Sequence, residues 1–382
     1  MLKILYITNT SYTLLSLRMN LMQSMLNDGY EVFAAAPKDS YSEKLARKGI
    51  NFHHLPMTQT GVNFFQELRT ILNIIFILFK SKPNLLHLFS IKSILWGGLA
   101  SVFFKSMKVV LTFTGMGILK STKNNLLKKS LFFIIKISHN ERKEYVFQNH
   151  SDLVYFEENT GINASLNLIQ GSGVDLNYYF RFNGTAQSKK KITFLMFSRM
   201  LYSKGVFDYL EAVKNVNEDF GNQAEFILLG GVYPSSPSEV DKEWITGIDY
   251  IDPSFLLFKA NEAKVSWIEH DSNVLDYLCI SDVVVLPSYY PEGLPRSLLE
   301  AMSCENVIIT SNNPGCKEVC DGTNGFVVNK NDVEQLEKSI KKCITMKNTE
   351  LNKMKKRSRD IVKDRFSDKI VIDAYKNIYK KL

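Results

Sequence analysis

The chain has 382 residues, enough for two domains, and at 45% hydrophobic and 23% charged it is neither disordered nor fibrous in composition. No apolar run reaches the roughly 18 to 20 residues that a membrane-spanning helix needs; the longest, Ile71 to Phe79 and Leu131 to Ile137, are far shorter. The formal charge of +8 is lopsided, with 19 Lys and Arg against 10 Asp and Glu in residues 1–170 and 28 against 29 in the rest.

Lys3 to Thr8 predicts a short buried strand. With no charged-then-apolar leader pattern ahead of it, the chain is expected to stay in the cytosol. A helix from about Leu14 to Asn27, ended by Gly29, leads to a strand over Glu31 to Ala36, and strand, helix, strand at this spacing implies a parallel sheet. The alternation continues with helix Tyr41 to Lys48, strand Asn51 to Leu55, helix Phe64 to Ser81, strand Leu85 to Phe89, helix Ile94 to Phe104 and strand Lys108 to Phe113. Beyond it a helix is expected near Leu126 to Phe147, then strands Leu153 to Phe156 and Asn167 to Ile169. Ligands of such sheets bind at the carboxyl ends of strands, so Thr8 to Ser11, Phe89 to Lys92 and Thr112 to Gly117 are expected to line a cleft. Between Glu67 and Glu141 there is no acidic residue, while Arg69 and ten lysines stand among long aliphatic and aromatic side chains. Such a basic, apolar-rich face suits an anionic membrane surface; the alternatives are a solvated helical face or nucleic acid, and the absence of a stacking pattern counts against the last.

Gly171, Gly173, Asn183, Gly184 and the polar run to Lys191 predict a linker, 173–190, between a first domain at 1–172 and a second at 191–366. The second series opens with strand Ile192 to Ser198, loop Arg199 to Gly205, helix Val206 to Asn217 and strand Glu225 to Gly230. Residues 232–256 look like an excursion, because Pro234, Pro237 and Pro253 break the periodicity. Strand Val265 to Ile268 and helix Val274 to Cys279 follow. Then come strand Val283 to Leu286, a loop, a helix with Pro295 as its first residue, and strand Val307 to Thr310. Phe326 to Val328 completes the strands, and helices Asp332 to Cys343, Leu351 to Phe366 and Asp368 to Lys381 end the chain. The expected architecture is α/β: two doubly wound, Rossmann-like domains facing across a cleft.

Chemistry concentrates in two loops of the second domain. Arg199 and Lys204 lie between a strand end and a helix, with Gly205 allowing close backbone approach, which suits a diphosphate. Gly293 and Leu294 stand where a helix begins and are expected to present amides to an anion. Glu292 and Glu300 flank that position and are better suited to accept hydrogen bonds from sugar hydroxyls than to hold phosphate. The five cysteines, Cys279, Cys304, Cys316, Cys320 and Cys343, show no paired-ligand spacing and are expected to be reduced thiols. No Asp-x-Asp occurs, and no Ser/His/Asp arrangement is evident.

The segments FSRMLYSKGVFDYLEA and DVVVLPSYYPEGLPRSLLEAMSC together resemble the second domain of retaining glycosyltransferases of family 4, which have the GT-B fold. The first-domain segments LSLRMNL, LFSIKSILWGGLAS and LTFTGMGILK are similar to bacterial members that extend undecaprenyl-diphosphate-linked sugars in capsule, O-antigen or N-glycan assembly. The resemblance implies Glu292 near the donor sugar, Glu300 on the ribose hydroxyls, Arg199 and Lys204 on the diphosphate, amides of Gly293 and Leu294 as further anion donors, and Gly230 in a strand-end turn at the cleft. It also implies a final helix, 367–382, crossing back to the first domain. Arg18, early in the first helix, is expected to meet an acceptor diphosphate, with Lys92 in a similar role. Many members carry a His at the end of the strand matching Lys108 to Phe113; here Thr114 and the Gly115 to Gly117 amides stand there instead, and Thr114 is the expected substitute. His87 lies in an apolar strand and is expected to be a satisfied core residue.

The function implied is transfer of a hexose or N-acetylhexosamine, with GalNAc favoured, from a UDP-sugar to a lipid-diphosphate-linked saccharide. No cofactor and no metal are expected, nor any nucleic acid partner; the place of action would be the cytoplasmic face of the membrane. The alternatives are a GT-B enzyme with a soluble acceptor, a nucleotide-sugar epimerase, or a membrane-docking subunit that binds nucleotide sugar for a partner.

Overall fold

The computed structural model describes residues 1–58, 63–121, 124–182, 191–221, 223–232, 249–271, 273–290 and 292–381. They form two compact units, the first made of Met1–Gly173 with Asp368–Leu382 and the second of Val174–Ser367. Residues 183–190 of the expected linker, and most of the expected excursion at 232–256, lie outside the described residues.

Among the described residues the first unit has seven strands: β1 (Lys3–Ile7), β2 (Glu31–Ala36), β3 (Asn51–His54), β4 (Leu85–Phe89), β5 (Lys108–Phe113), β6 (Lys143–Phe147) and β7 (Leu166–Leu168). All pairings are parallel, in the order β3-β2-β1-β4-β5-β6-β7. Side chains alternate across the pleat, so Leu5 and Ile7 enter one core and Ile4 and Tyr6 the other. On the Leu5 face lie α3 (Phe64–Ser81), α4 (Ile91–Ala100), α6 (Asn125–Ser138) and α7 (His150–Thr160), numbered after α1 (Met19–Asn27), α2 (Ser40–Arg47) and the short α5 (Gly117–Ser121). The Tyr6 face carries α1, α2 and the last helix of the chain, Asp368–Lys381, through Val371, Tyr375 and Ile378.

Two local expectations change here. The first helix is not continuous: a single turn at Ser11–Thr13 and a π-helical turn at Leu14–Arg18 precede α1. Widening the coil by one residue turns Arg18 into the interior, where it is 1% exposed with its guanidinium 4.3 Å from the Phe89 ring. The stretch Leu153 to Phe156 is helical rather than a strand, and the strand is Lys143–Phe147. The apolar run suggested β, but Asn149 caps a helix by accepting from the Asp152 amide, and Gly161 ends it in the left-handed region.

Among the described residues the second unit has six strands, β8 (Ile192–Phe197), β9 (Ala224–Leu229), β10 (Ser266–Ile268), β11 (Val283–Leu286), β12 (Val307–Ser311) and β13 (Gly325–Val328), all parallel in the order β10-β9-β8-β11-β12-β13. Their helices are α8 (Val206–Phe220), α9 (Pro253–Glu262), α10 (Val274–Ile280), α11 (Arg296–Ser303), α12 (Val333–Thr345) and α13 (Asn348–Ile361); the returning Asp368–Lys381 helix is α14. Pro253 opens α9 at its first position, with Asp252 accepting from the Phe255 amide, so the residue expected to break structure starts a helix instead. Pro295 is the residue before α11, in extended conformation, rather than its first helical residue.

Candidate active site

In the second sheet the order of connections reverses between β8 and β11, which is where a doubly wound sheet opens a crevice at its carboxyl edge. The loops carrying Lys204 and Glu292 leave these two adjacent strands. Lys204 ends a 3-10 turn, and Gly205 follows at φ +76; a Cβ there would lie 2.6 Å from the Pro287 carbonyl oxygen. Only glycine lets the two loops approach so closely. Across this contact Lys204 Nζ forms an ion pair with Glu292 Oε1, both side chains nearly buried, and sits 5.0 Å from the Tyr290 ring centre. Ser288 Oγ donates to the same Glu292 oxygen at 3.2 Å, and the amides of Tyr289 and Tyr290 both donate to the Ser203 carbonyl at 2.9 Å.

Beneath the loop lies a third segment, which starts with the last residue of β12. Ser311 Oγ donates to the Ser288 carbonyl and Asn313 Nδ2 to that of Tyr290. Gly315, at φ +84, would bring a Cβ within 2.5 Å of the Gly293 oxygen and 2.9 Å of the Glu292 oxygen. Across the first turn of α11, Arg296 Nε pairs with Glu300 Oε1 at 2.6 Å, and Glu300 is 8% exposed. Burial, and then the charge of Glu300, raises the pKa of the adjoining Tyr179 phenol. Gly230 closes the β9 end at φ +142, where a Cβ would collide with the Ser198 carbonyl. Leu294 is buried in the core, and Arg199 is exposed at the end of β8.

The structure thus brings Lys204, Glu292, Gly293 and Glu300 to one end of the second sheet, with Arg199 and Gly230 on the neighbouring strand ends. Ser288, Tyr290, Asn313 and Gly315 were not anticipated. The Asn-Asn-Pro-Gly run after β12 is a turn signal that could have pointed to the last two.

The other three candidates belong to the first unit, around the carboxyl edge of β1, β4 and β5. Lys92 Nζ pairs with the buried Glu67 at 2.7 Å and donates to Thr58 at 2.6 Å, while Trp96 Nε1 donates to the second Glu67 oxygen. Thr114 is half-buried just beyond β5, in a loop tied down where Asp152 accepts from the Met116 amide. Next to buried Arg18, His87 is fully enclosed, its Nδ1 2.5 Å from Tyr379 Oη and its Nε2 2.8 Å from Thr112 Oγ1. It is the satisfied core histidine expected, and burial, reinforced by the Arg18 charge, holds its pKa well below the ordinary value. All five cysteines are free and buried. Among the described residues no group of three or more His, Cys, Asp or Glu is placed to hold a metal ion.

Two family models match the chain: one for glycosyl transferases group 1 over residues 180–361 and one described as glycosyl transferase 4-like over residues 3–150. Along its whole length the chain is 23% identical to the Campylobacter jejuni N,N'-diacetylbacillosaminyl-diphospho-undecaprenol alpha-1,3-N-acetylgalactosaminyltransferase, covering 99% of that protein. It is 25% identical over 85% of its length to the Escherichia coli UDP-Gal:alpha-D-GlcNAc-diphosphoundecaprenol alpha-1,3-galactosyltransferase, of which 82% is covered. In structure it is similar to Anabaena HepE solved in complex with UDP, at a TM-score of 0.78 and 15% identity with all of both chains covered. With the two models together matching most of the chain, one over each part, and two doubly wound sheets of the GT-B kind, this protein is a glycosyltransferase with group 1 and 4-like domains.

Proposed function

We propose that the protein is a retaining transferase that moves a hexose or N-acetylhexosamine, GalNAc first, from a UDP-sugar to an undecaprenyl-diphosphate-linked sugar in surface polysaccharide or glycan assembly. The observation that carries this is the Lys204–Glu292 pair, held by Ser288 and Tyr290 at the reversal point of the second sheet, with Glu300 one helix turn beyond Arg296. Lys204 and Arg199 would neutralise the diphosphate as the bond from the anomeric carbon to its oxygen breaks. The acceptor hydroxyl forms the new bond on the same face and passes its proton to the departing diphosphate, which retains the anomeric configuration. Glu292 would orient the donor sugar and Glu300 the ribose hydroxyls; cationic side chains and amides doing the electrostatic work make the reaction metal-independent. The names of the Campylobacter and Escherichia relatives favour a lipid-diphosphate acceptor, and hence work at the cytoplasmic membrane surface, where the basic first unit would meet anionic lipid. Among the described residues no helix is long and apolar enough to cross a membrane.

The test is a panel of UDP-sugars with a synthetic lipid-diphosphate saccharide, followed by UDP release and by the anomeric coupling of the product. One UDP-sugar should be consumed with retention, unchanged by EDTA. Turnover only on free sugars, epimerised donor without transfer, or an inverted product would each reject it.

A further inference from the structure

Helix α3 carries Phe65, Leu68, Leu72, Phe76 and Phe79 on its outer side, between 44 and 79% exposed, while Ile74, Ile77 and Leu78 of the same helix are buried against the sheet. The helix is therefore apolar on both sides, and among the described residues the outer side, apart from Phe79 against Phe104, is left exposed. The spacings of 3, 4, 4 and 3 residues form a stripe from one end to the other, about 21 Å at the helical rise. Beyond α4, which packs against both neighbours, α6 repeats the pattern with Leu126, Phe133 and Ile137, each more than half exposed. Phe103 is 72% exposed at the end of α4, and Phe104 beside it meets the Phe79 ring at 4.9 Å. Exposed apolar surface on this scale is uncommon on a free-standing soluble domain.

The charges on this face have one sign. Arg69, Lys80, Lys129 and Lys136 are exposed among the apolar side chains, and the sequence holds no acid between Glu67 and Glu141. Glu67 itself is 5% exposed, turned inward onto Lys92 and Trp96.

We propose that the outer face of α3, α4 and α6 is a docking surface for an anionic phospholipid bilayer, with α3 lying parallel to the membrane plane and its phenylalanines among the acyl chains. A second copy of the chain is disfavoured as occupant, because it would set cation against cation with no acid to pair them. A bilayer supplies both requirements at once, hydrocarbon for the stripe and phosphate for the flanking lysines. A stripe that runs the full helix length fits an interfacial orientation rather than insertion end-on. This placement rests on the membrane-surface role proposed above and makes it specific to one face.

Sedimentation with vesicles of phosphatidylglycerol and phosphatidylcholine, and with phosphatidylcholine alone, tests it. The intact protein should bind the anionic vesicles at least tenfold more tightly. Binding should fall at least tenfold both in Leu72→Ser/Phe76→Ser and in Lys80→Glu/Lys129→Glu/Lys136→Glu. The replaced side chains are exposed, so melting temperature should hold, and transfer to a water-soluble diphosphate-linked acceptor should persist. Should the multiple variants fail to fold, Phe76→Trp reads insertion directly, through quenching by brominated lipids. Unchanged binding in the serine variant, an unquenched indole, or a dimer in solution that the serine variant splits into monomers would overturn the proposal. Vesicle binding needs no sugar donor, so a protein that docks as expected but transfers no sugar to any lipid-diphosphate acceptor would defeat the functional proposal and leave this one standing.

Discussion

Glu292 is held from three directions: by the charge of Lys204, by the hydroxyl of Ser288 and by the backbone packing of Gly315. A carboxylate so restrained has its orientation set before any ligand arrives, and this pre-organisation makes electrostatic catalysis effective. Lys204→Ala and Glu292→Gln should each lower kcat/KM by about 10²- to 10³-fold, the usual result of removing a preorganised charged group from such a site. Ser288→Ala removes one hydrogen bond to a charged acceptor, which is worth about 1.5–3 kcal/mol, and should cost roughly 10- to 100-fold. Steady-state UDP release across the three variants checks the order; a Ser288→Ala loss as large as that of Glu292→Gln would mean the hydroxyl itself touches substrate.

At the scale of elements, the sheets were legible because buried parallel strands such as Val283–Leu286 are short unbroken apolar runs bounded by turns. Lys204 and Glu292 stood out through their loops, cations before Gly205 and carboxylates around Gly293, whereas the reversal point that makes those loops neighbours is seen only in the strand order of the folded sheet. Less legible were Leu153 to Phe156, where one capping Asn outweighs an apolar run, and Pro253, which starts a helix as readily as it breaks one. The support under Glu292 was hidden because Asn313 and Gly315 come from a different strand end, and contacts between loops leave no local period to read. Gly315 and Gly322 provide a matched test of that support. Both have φ +84, so Ala at either position bears similar backbone strain, about 1–2 kcal/mol. Only at Gly315 does the new Cβ strike the backbone of Gly293 and Glu292; at Gly322 it meets open space. Gly322→Ala should lower the melting temperature by a few degrees with near-normal turnover, whereas Gly315→Ala, with the clash added to the strain, should show a larger thermal shift and lose at least tenfold in kcat/KM. Equal turnover in the two variants would separate the 312–316 loop from catalysis.

Across the whole molecule the charge is divided by unit: 23 Lys and Arg against 12 Asp and Glu in the first, 24 against 27 in the second. The chain passes from the first unit to the second and back, and α14 completes the first unit's core with Tyr375, Ile378 and Val371. The polar centre under α14 is His87, sharing hydrogen bonds with Tyr379 and Thr112. Burial and the nearby Arg18 charge hold this imidazole neutral in the folded protein, whereas in the unfolded chain it takes up a proton near pH 6.5. Below that pH the unfolded state binds more protons, so stability must fall with acidification, by up to about 1.4 kcal/mol per pH unit, until the folded imidazole also titrates. Lys143, lowered to about 7 by burial and the charge of Arg142, acts in a different window, adding stability as pH rises from there toward 10.5. Calorimetry at pH 6.5 and 5.5, below the Lys143 window, should show the first unit's transition moving down on acidification while the second unit's, free of this histidine, moves less. His87→Gln should flatten that difference even if it lowers the transition at both pH values, because the lost hydrogen bonds are independent of pH while the protonation is not. An undiminished acid shift in the variant would assign it to other groups, such as His53 and His139, whose values burial also lowers.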